Sequence, residues 1–591
     1  MKRLQSVILL AAGFVALSTQ YQDDLVSNAK LQPTIMPPPK QITHGTGQAF
    51  IDPCQFNLKQ EKQFLKGSEH IENLYSYYTK RLFPKFSFES CSSYDTLKTV
   101  DLKLLKHLNL KLNSGEITEL LSPHLHETDE SYDLKILMDT DEIQITANQY
   151  VGLVRGMATV SQLIQKSHTK EGVFEVNHLP LDIQDAPRYA YRGFMLDTSR
   201  HYISVDIIKQ LLDSLALAKF SVFHWHIVDD ESFPIELDSF PNISKNGAFS
   251  ADKVYTKTNV QGIVSYALTL GLRVIPEFDN PGHTRAIAMD PEFRDIMRCW
   301  SKDWSSTVPG AYRIQGMRTG VLDPTYDQTF DLIKGIFTDL NSLFPDNMLM
   351  LGGDEVLTSC YNENPKLQDF MTKNNIKDLQ GVFQYHLEKS RGILKTVNSN
   401  KVALYWSNED TLYLKHNPDD VLLWWGQSKN LDQLKATYPQ NKFVMVVGDA
   451  YYLDCGRGNK YGANSWCDPF KTWWYIYQFE PTDYLNDGSV IGGQVASWSE
   501  QISDYNLLAT IWPRAAAMVD KMWGPKVPLD LQSLAARLIA FNQQLNNFGI
   551  PSSPITDGYC EQNNAQCFIK KQTQEPFEKI DSQINRFYSH E

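Results

Sequence analysis

The sequence predicts an α/β chain: a (β/α)8 TIM barrel preceded by a smaller α+β domain. Two observations carry this reading. Beyond about residue 188, eight apolar runs follow one another, most of them separated by segments that can form helices, which is the recipe for such a barrel. Those runs also end in carboxylates, tryptophans and tyrosines, and barrels of this kind build their sites from the C-terminal ends of the strands. The competing architecture, a doubly wound open sheet, normally advertises a Gly-rich phosphate loop after its first strand, and none stands here.

The chain begins with Lys2 and Arg3, then the apolar run 7–17, then Ser18 and Thr19. This is the layout of a secretory signal peptide, assigned to residues 1–18. The run is too short to span a bilayer, and no later stretch of 18 or more apolar residues follows, so no membrane span is expected. Residues 19–187 hold a lead-in and the smaller domain. Residues 21–50 are polar and proline-rich around Pro37-Pro38-Pro39, a linker or lead-in strand. Residues 100–112 mix alternating and doubled apolar positions. The runs 132–138 and 142–147 flank Asp139-Thr140-Asp141, a hairpin signal. Residues 148–165 carry Val151, Leu153, Val154, Met157, Val160 and Leu163 at helical spacing. This part shows no chemistry and has a structural role in prospect. Asp182 to Pro187 reads as the junction.

The barrel and its tail occupy residues 188–591. Its first strand, 191–196, is followed by Asp197-Thr198-Ser199-Arg200. Helix 205–220 leads to strand 222–228, which ends in Asp229-Asp230. Helix 260–270 leads to strand 273–278, ending in Asp279 with Pro281-Gly282-His283 beyond. Helix 330–344 leads to the fourth strand, 348–351, which runs into Gly352-Gly353-Asp354-Glu355. Strand 401–405 ends near Trp406, strand 421–423 at Trp424-Trp425, strand 443–447 leads to Tyr451-Tyr452-Leu453-Asp454, and strand 490–497 ends at Trp498-Ser499-Glu500. Consecutive strand residues face opposite ways. One of Trp424 and Trp425 and one of Tyr451 and Tyr452 should therefore face the site, with register the only guide to which. By the same alternation Asp354 and Glu355 should point differently and take different roles.

Composition narrows the partners. With 591 residues, 42% of them hydrophobic, the chain can bury large cores, and a net charge of −13 argues against nucleic acid and anionic membranes. Eight cysteines fit four bridges in an oxidising compartment, and neighbour spacing suggests Cys54–Cys91, Cys299–Cys360, Cys455–Cys467 and Cys560–Cys567. One sequon, Asn242-Ile243-Ser244, offers a glycan site at Asn242. No His/Cys cluster has zinc spacing. His224 and His226 do fall on one face of a strand, which keeps a metal-dependent hydrolase under consideration, but further ligands have no obvious source.

A cup with Trp walls and Asp, Glu and Arg at its floor suits an uncharged polyhydroxylated ligand: apolar sugar faces stack on indoles and hydroxyls bond to carboxylates and guanidinium. Hydrolysis of a glycosidic bond normally needs two carboxyl groups, one kept protonated. Burial and mutual repulsion push the pKa values of adjacent acids apart. Neighbours such as Asp354 and Glu355 can hardly flank one bond as nucleophile and acid, so the substrate itself becomes a candidate nucleophile.

The motifs Arg192-Gly193-Phe194-Met195-Leu196-Asp197-Thr198-Ser199-Arg200-His201-Tyr202, His224-Trp225-His226-Ile227-Val228-Asp229-Asp230, Glu277-Phe278-Asp279-Asn280-Pro281-Gly282-His283-Thr284 and Leu351-Gly352-Gly353-Asp354-Glu355-Val356 make the chain resemble the β-N-acetylhexosaminidases of glycoside hydrolase family 20, from about residue 182 to 561. The resemblance implies retaining, substrate-assisted removal of terminal non-reducing β-linked GlcNAc or GalNAc, in which the 2-acetamido oxygen attacks C1 and forms an oxazolinium ion. It implies Glu355 as general acid and base and Asp354 as the group that orients the acetamido N–H. Asp229 and His283 would tune Glu355. Tyr452 would bond the acetamido oxygen, Trp406, Trp425 and Trp498 would wall the pocket, and Arg200, Asp454 and Glu500 would hold ring hydroxyls. An acid at Asp454 goes with neutral sugars in this family, Coulomb repulsion opposing anionic ones. The expected substrate is a glycan or chito-oligosaccharide, with no cofactor. Family members often form homodimers, and the destination would be lysosomal or extracellular. A catalytically silent sugar-binding protein is the alternative of another class; loss of the acid would mark it, and Glu355 is present.

Overall fold

The computed structural model describes residues 33–59, 67–92, 103–301, 320–457 and 467–562, apart from 115, 118, 123, 168–171 and 529. The expected signal peptide and Cys567 lie outside these residues. The N-terminal part forms a mixed sheet in the order Gln41–Ile51, Phe174–Asp185, Tyr132–Ile136, Glu142–Ala147, His107–Leu112, Asn57–Leu58, with Gln165–Lys166 beside Phe174–Asp185. The expected hairpin is there: Tyr132 faces Ala147 and Ile136 faces Ile143 in antiparallel register. Leu134, Ile136, Ile143 and Ile145 alternate inward along its two strands.

Helix Tyr150–Leu163 packs on one side against this sheet and on the other against helix Val205–Leu217 of the barrel. It is buried on nearly all sides, which is why its sequence is apolar round most of its circumference rather than on one stripe. The same junction holds buried charge. Glu130 Oε2 accepts from Arg155 Nε at 2.7 Å and from Arg192 Nη2 at 2.5 Å. Against the cost of burial, first Arg192 and then Arg155 hold the Glu130 carboxyl below its ordinary range. Lys219 Nζ donates to Asp185 Oδ2 at 2.9 Å within the same interface. Arg192 therefore sits at the domain junction, away from the mouth of the barrel.

Eight parallel strands close the barrel: β1 (Tyr191–Asp197), β2 (Val222–His226), β3 (Arg273–Glu277), β4 (Met348–Met350), β5 (Val402–Ser407), β6 (Val421–Trp424), β7 (Lys442–Met445) and β8 (Val490–Ser497). Each pairs with its sequence neighbours and β8 pairs with β1, Gly492 facing Tyr191. The inward positions form one cluster that includes Met195, Val222, Ile275, Met350, Leu404, Trp406, Leu423, Val444, Tyr452 and Ala496. The outer faces pack under a ring of helices. In Asp327–Leu343, Leu332, Ile333, Ile336, Phe337, Leu340 and Leu343 make the buried stripe. Helix Lys257–Thr269 starts three residues before its first expected residue because Thr256 and Asn259 form a capping box.

Cys54–Cys91, Cys299–Cys360 and Cys455–Cys467 are bonded as expected. The last two tie loops that follow β3, β4 and β7, on the face where the strands end. Among the described residues no helix is long and apolar enough to cross a membrane.

Candidate active site

The C-terminal ends of the strands bring most of the expected residues into one cup. β4 ends at Met350, two residues before Gly352 (φ 69°) and Gly353 (φ 88°), and Glu355 itself has φ 50°. Asp354 and Glu355 thus part company at a turn of the backbone, not by the strand alternation the sequence suggested. Asp354 is buried, while the Glu355 side chain is 32% exposed. Gly352 is demanded by contact as well as by φ: a Cβ there would sit 1.8 Å from Asp279 Oδ1. That oxygen instead accepts the Gly353 N–H at 2.9 Å.

Glu355 Oε2 lies 3.6 Å from His283 Nε2, and His283 Nδ1 donates to Asp229 Oδ1 at 3.1 Å. Asp354 Oδ2 lies 3.9 Å from His283 Nε2. Asp229 Oδ2 accepts from Arg200 Nη2 at 2.7 Å and from His226 Nε2 at 2.8 Å. Burial works against charge throughout this line, yet Arg200 and His283 hold Asp229 well below the carboxylate range, and the Asp229 charge holds His283 well above the imidazole range. His283 is therefore an imidazolium facing Glu355. Of the adjacent acids, Asp229 is the one in this line. Asp230 accepts the backbone N–H groups of Arg285 and Gly320 at 2.8 and 2.9 Å, and burial with the Asp229 charge pushes it up to about 7.

Asp279 Oδ2 and Asp354 Oδ1 are buried with no donor among the described residues. A proton shared between the two carboxyl groups satisfies both. Burial and the neighbouring Asp354 push Asp279 well above its ordinary value, so Asp279 is the one that keeps the proton. Burial, with Glu355 adding to it, also raises Asp354.

The walls follow. Trp406 and Trp498 stand 6.2 Å apart, centroid to centroid, and the Arg200 guanidinium lies 5.0 Å over the Trp498 ring. Trp425 and Tyr452 belong with them to the inward cluster, whereas Trp424 and Tyr451 belong to the outer core. Asp454 accepts the Trp498 N–H at 3.2 Å; burial and then the Glu500 charge push it up to about 8. Glu500 is exposed at the rim. Glu231, not singled out in the sequence, accepts from Arg200 Nε at 3.0 Å; burial, opposed by Arg200 and aided by Asp229, pushes it up to about 8.

Sequence reasoning also passed over the floor. Glu277 Oε2 accepts from His226 Nδ1 at 2.6 Å, and Glu277 Oε1 accepts from Trp406 Nε1 at 2.7 Å. The i, i+2 spacing of His224 and His226 was the available signal, and it pointed at a metal. Both rings instead face Glu277, from the strand paired with β2.

The glycosyl hydrolase family 20 catalytic-domain profile matches residues 189–526, and a β-acetyl-hexosaminidase-like profile matches residues 35–163. The chain belongs to glycosyl hydrolase family 20. It is 30% identical to the β-hexosaminidase subunit beta of Rattus norvegicus over 91% of this chain and 95% of that one. It is 32% identical to the subunit alpha of the same organism over 74% and 78%. Its fold matches the family 20 exo-β-N-acetylglucosaminidase of Vibrio harveyi, solved with N-acetylglucosamine, at a TM-score of 0.71 and 22% identity over 88% of this chain and 78% of that one. The protein is accordingly a glycoside hydrolase, an exo-β-N-acetylhexosaminidase whose reaction is assisted by the substrate's own acetamido group.

Proposed function

We propose that Glu355 is the general acid and base and that Asp354 steers the 2-acetamido group as it attacks C1. The line Asp229–His283–Glu355 is the observation that carries this reading. Glu355, partly exposed, protonates the leaving oxygen as the acetamido oxygen displaces it. The same carboxylate then takes a proton from the water that opens the oxazolinium. Asp354, its proton-bearing neighbour Asp279 beside it, accepts the acetamido N–H and offsets the positive charge that develops at C1. Tyr452 bonds the acetamido oxygen between Trp406, Trp425 and Trp498. Arg200, Asp454 and Glu500 take the ring hydroxyls.

The terminal sugar is neutral GlcNAc or GalNAc on a glycan or chito-oligosaccharide. Support comes from the acids at the sugar-facing rim: Asp454 lies beside Glu500, whose charge, after burial, helps push Asp454 up to about 8. An anionic substituent there meets repulsion. The disulfides Cys54–Cys91, Cys299–Cys360 and Cys455–Cys467, the exposed Asn242 of the sequon and the N-terminal layout support passage through the secretory pathway to a lysosomal or extracellular destination. A homodimer fits relatives that are named as subunits.

A thiazoline analogue of the oxazolinium tests the role of Asp354. The wild type should bind it on the order of a hundredfold more tightly than GlcNAc, and Asp354→Asn should lose most of that preference. Equal binding of the analogue and GlcNAc by the wild type would sink the proposal.

A further inference from the structure

Glu277 has no task in the reaction just described, yet it is a buried carboxylate on the floor of the barrel. Removing a carboxylate from water is unfavourable, and a packed apolar residue could fill the space instead. The geometry shows what it organises. Its Oε1 accepts from Trp406 Nε1 at 2.7 Å. Its Oε2 accepts from His226 Nδ1 at 2.6 Å and lies 3.0 Å from His224 Nε2. His224 is itself held from behind, because Gln494 Nε2 donates to its Nδ1 at 3.1 Å and Tyr191 donates its O–H to Gln494 Oε1 at 2.9 Å. His226 continues the line, its Nε2 donating to Asp229 Oδ2 at 2.8 Å. Both ring nitrogens of His226 face carboxylate oxygens, which only accept, so both carry hydrogens. An unbroken sequence of contacts thus joins the pocket wall to the proposed acid: Trp406, Glu277, His226, Asp229, His283, Glu355.

We propose that Glu277 is a positioning residue for proton delivery, acting through His226, Asp229 and His283 on Glu355. The proposal rests on the reading of Glu355 as the acid. With Glu277 in place, His226 needs a hydrogen on each nitrogen and presents one to Asp229 in a fixed direction. Asp229 then turns its other oxygen to His283, which faces Glu355. Without the Glu277 charge, His226 needs only one hydrogen, and Asp229 loses the cation that opposes it from below.

The test compares Glu277→Gln, His226→Gln and Glu355→Gln on β-GlcNAc substrates of graded leaving ability: a dinitrophenyl glycoside, a methylumbelliferyl glycoside and chitobiose. A good leaving group needs little protonation; a sugar needs all of it. Glu277→Gln and His226→Gln should lose on the order of tenfold more kcat/KM on chitobiose than on the dinitrophenyl glycoside. An equal loss across the series, which distortion of the Trp406 wall alone would produce, overturns the proposal, as does no loss. If Glu277→Gln does not fold, His226→Gln decides by the same criterion. If neither yields folded protein, Glu277 is structural and the proposal fails. A flat series for Glu355→Gln would remove the underlying acid assignment; a steep one beside a flat Glu277→Gln would remove this proposal alone.

Discussion

Acidification should weaken this fold through a buried histidine, and a single substitution should relieve it. His386, on helix Leu379–Val397, donates from Nε2 to Asn280 Oδ1 at 2.8 Å, and its Nδ1 is buried with no partner among the described residues. Asn280 in turn donates to the carbonyls of Phe278 and Leu351, so His386 buttresses the loop between Asp279 and His283 from outside the barrel. Burial pushes the ring down from 6.5 to about 3. The sign follows: the unfolded chain takes the proton near 6.5 and the folded one resists it. Stability is complete above 6.5 and falls with pH until the native ring titrates near 3. At 1.36 kcal/mol per unit, acidification to about pH 4.5 removes about 3 kcal/mol. His386→Gln keeps a donor near the position of Nε2 and has no proton to gain. Urea unfolding of both proteins at about pH 7.5 and pH 4.5 measures the effect, because other titrating groups cancel in the difference. The variant should gain about 3 kcal/mol on the wild type between the two pH values. An identical difference at both would refute the neutral, buried ring.

Three other outcomes follow from particular contacts. Asp454 keeps its proton to about 8. Asp454→Asn should therefore change the preference for neutral over 6-sulfated GlcNAc glycosides little near pH 6. Above that pKa it should relax the preference on the order of tenfold, as kcat/KM ratios would show. Gly352→Ala places a Cβ 1.8 Å from Asp279 Oδ1 at φ 69°. It should cost about 1–2 kcal/mol from the backbone alone, visible in thermal melting, and a larger share of kcat as Asp279 is driven from Asp354. Glu130→Ala leaves Arg155 and Arg192 buried without their shared carboxylate. A loss of about 3–5 kcal/mol in chemical denaturation is expected.

The barrel was legible because its strands are short apolar runs that stop at polar residues, a pattern that survives without any knowledge of packing. Period two said only that one of Trp424 and Trp425 and one of Tyr451 and Tyr452 faces inward; the family resemblance named Trp425 and Tyr452, and the inward cluster holds both. The same rule misled at Asp354 and Glu355, because three residues with positive φ turn the chain after a strand of only three residues. Strand Phe174–Asp185 escaped notice, since its burial is irregular and its polar positions blur the alternation. Glu277 and His226 were hidden for another reason. Each looks like an interruption of an apolar run, and only the register that sets Glu277 beside His226 shows that the interruptions answer one another. Sequence spacing carries i, i+2 information within a strand but none between strands. The bond from Glu277 to Trp406, from β3 to β5, is further still from anything spacing conveys.

The central claim is that the acetamido group of the substrate does the attacking while Glu355 supplies the proton. Hydrolysis of a chromogenic β-GlcNAc glycoside, with the matching β-glucoside as control, should be measured for the wild type and Glu355→Gln. Turnover of the acetamido sugar alone is expected, with a fall on the order of a hundredfold or more in the variant. Equal turnover of the glucoside would contradict it, since glucose has no acetamido oxygen to attack C1.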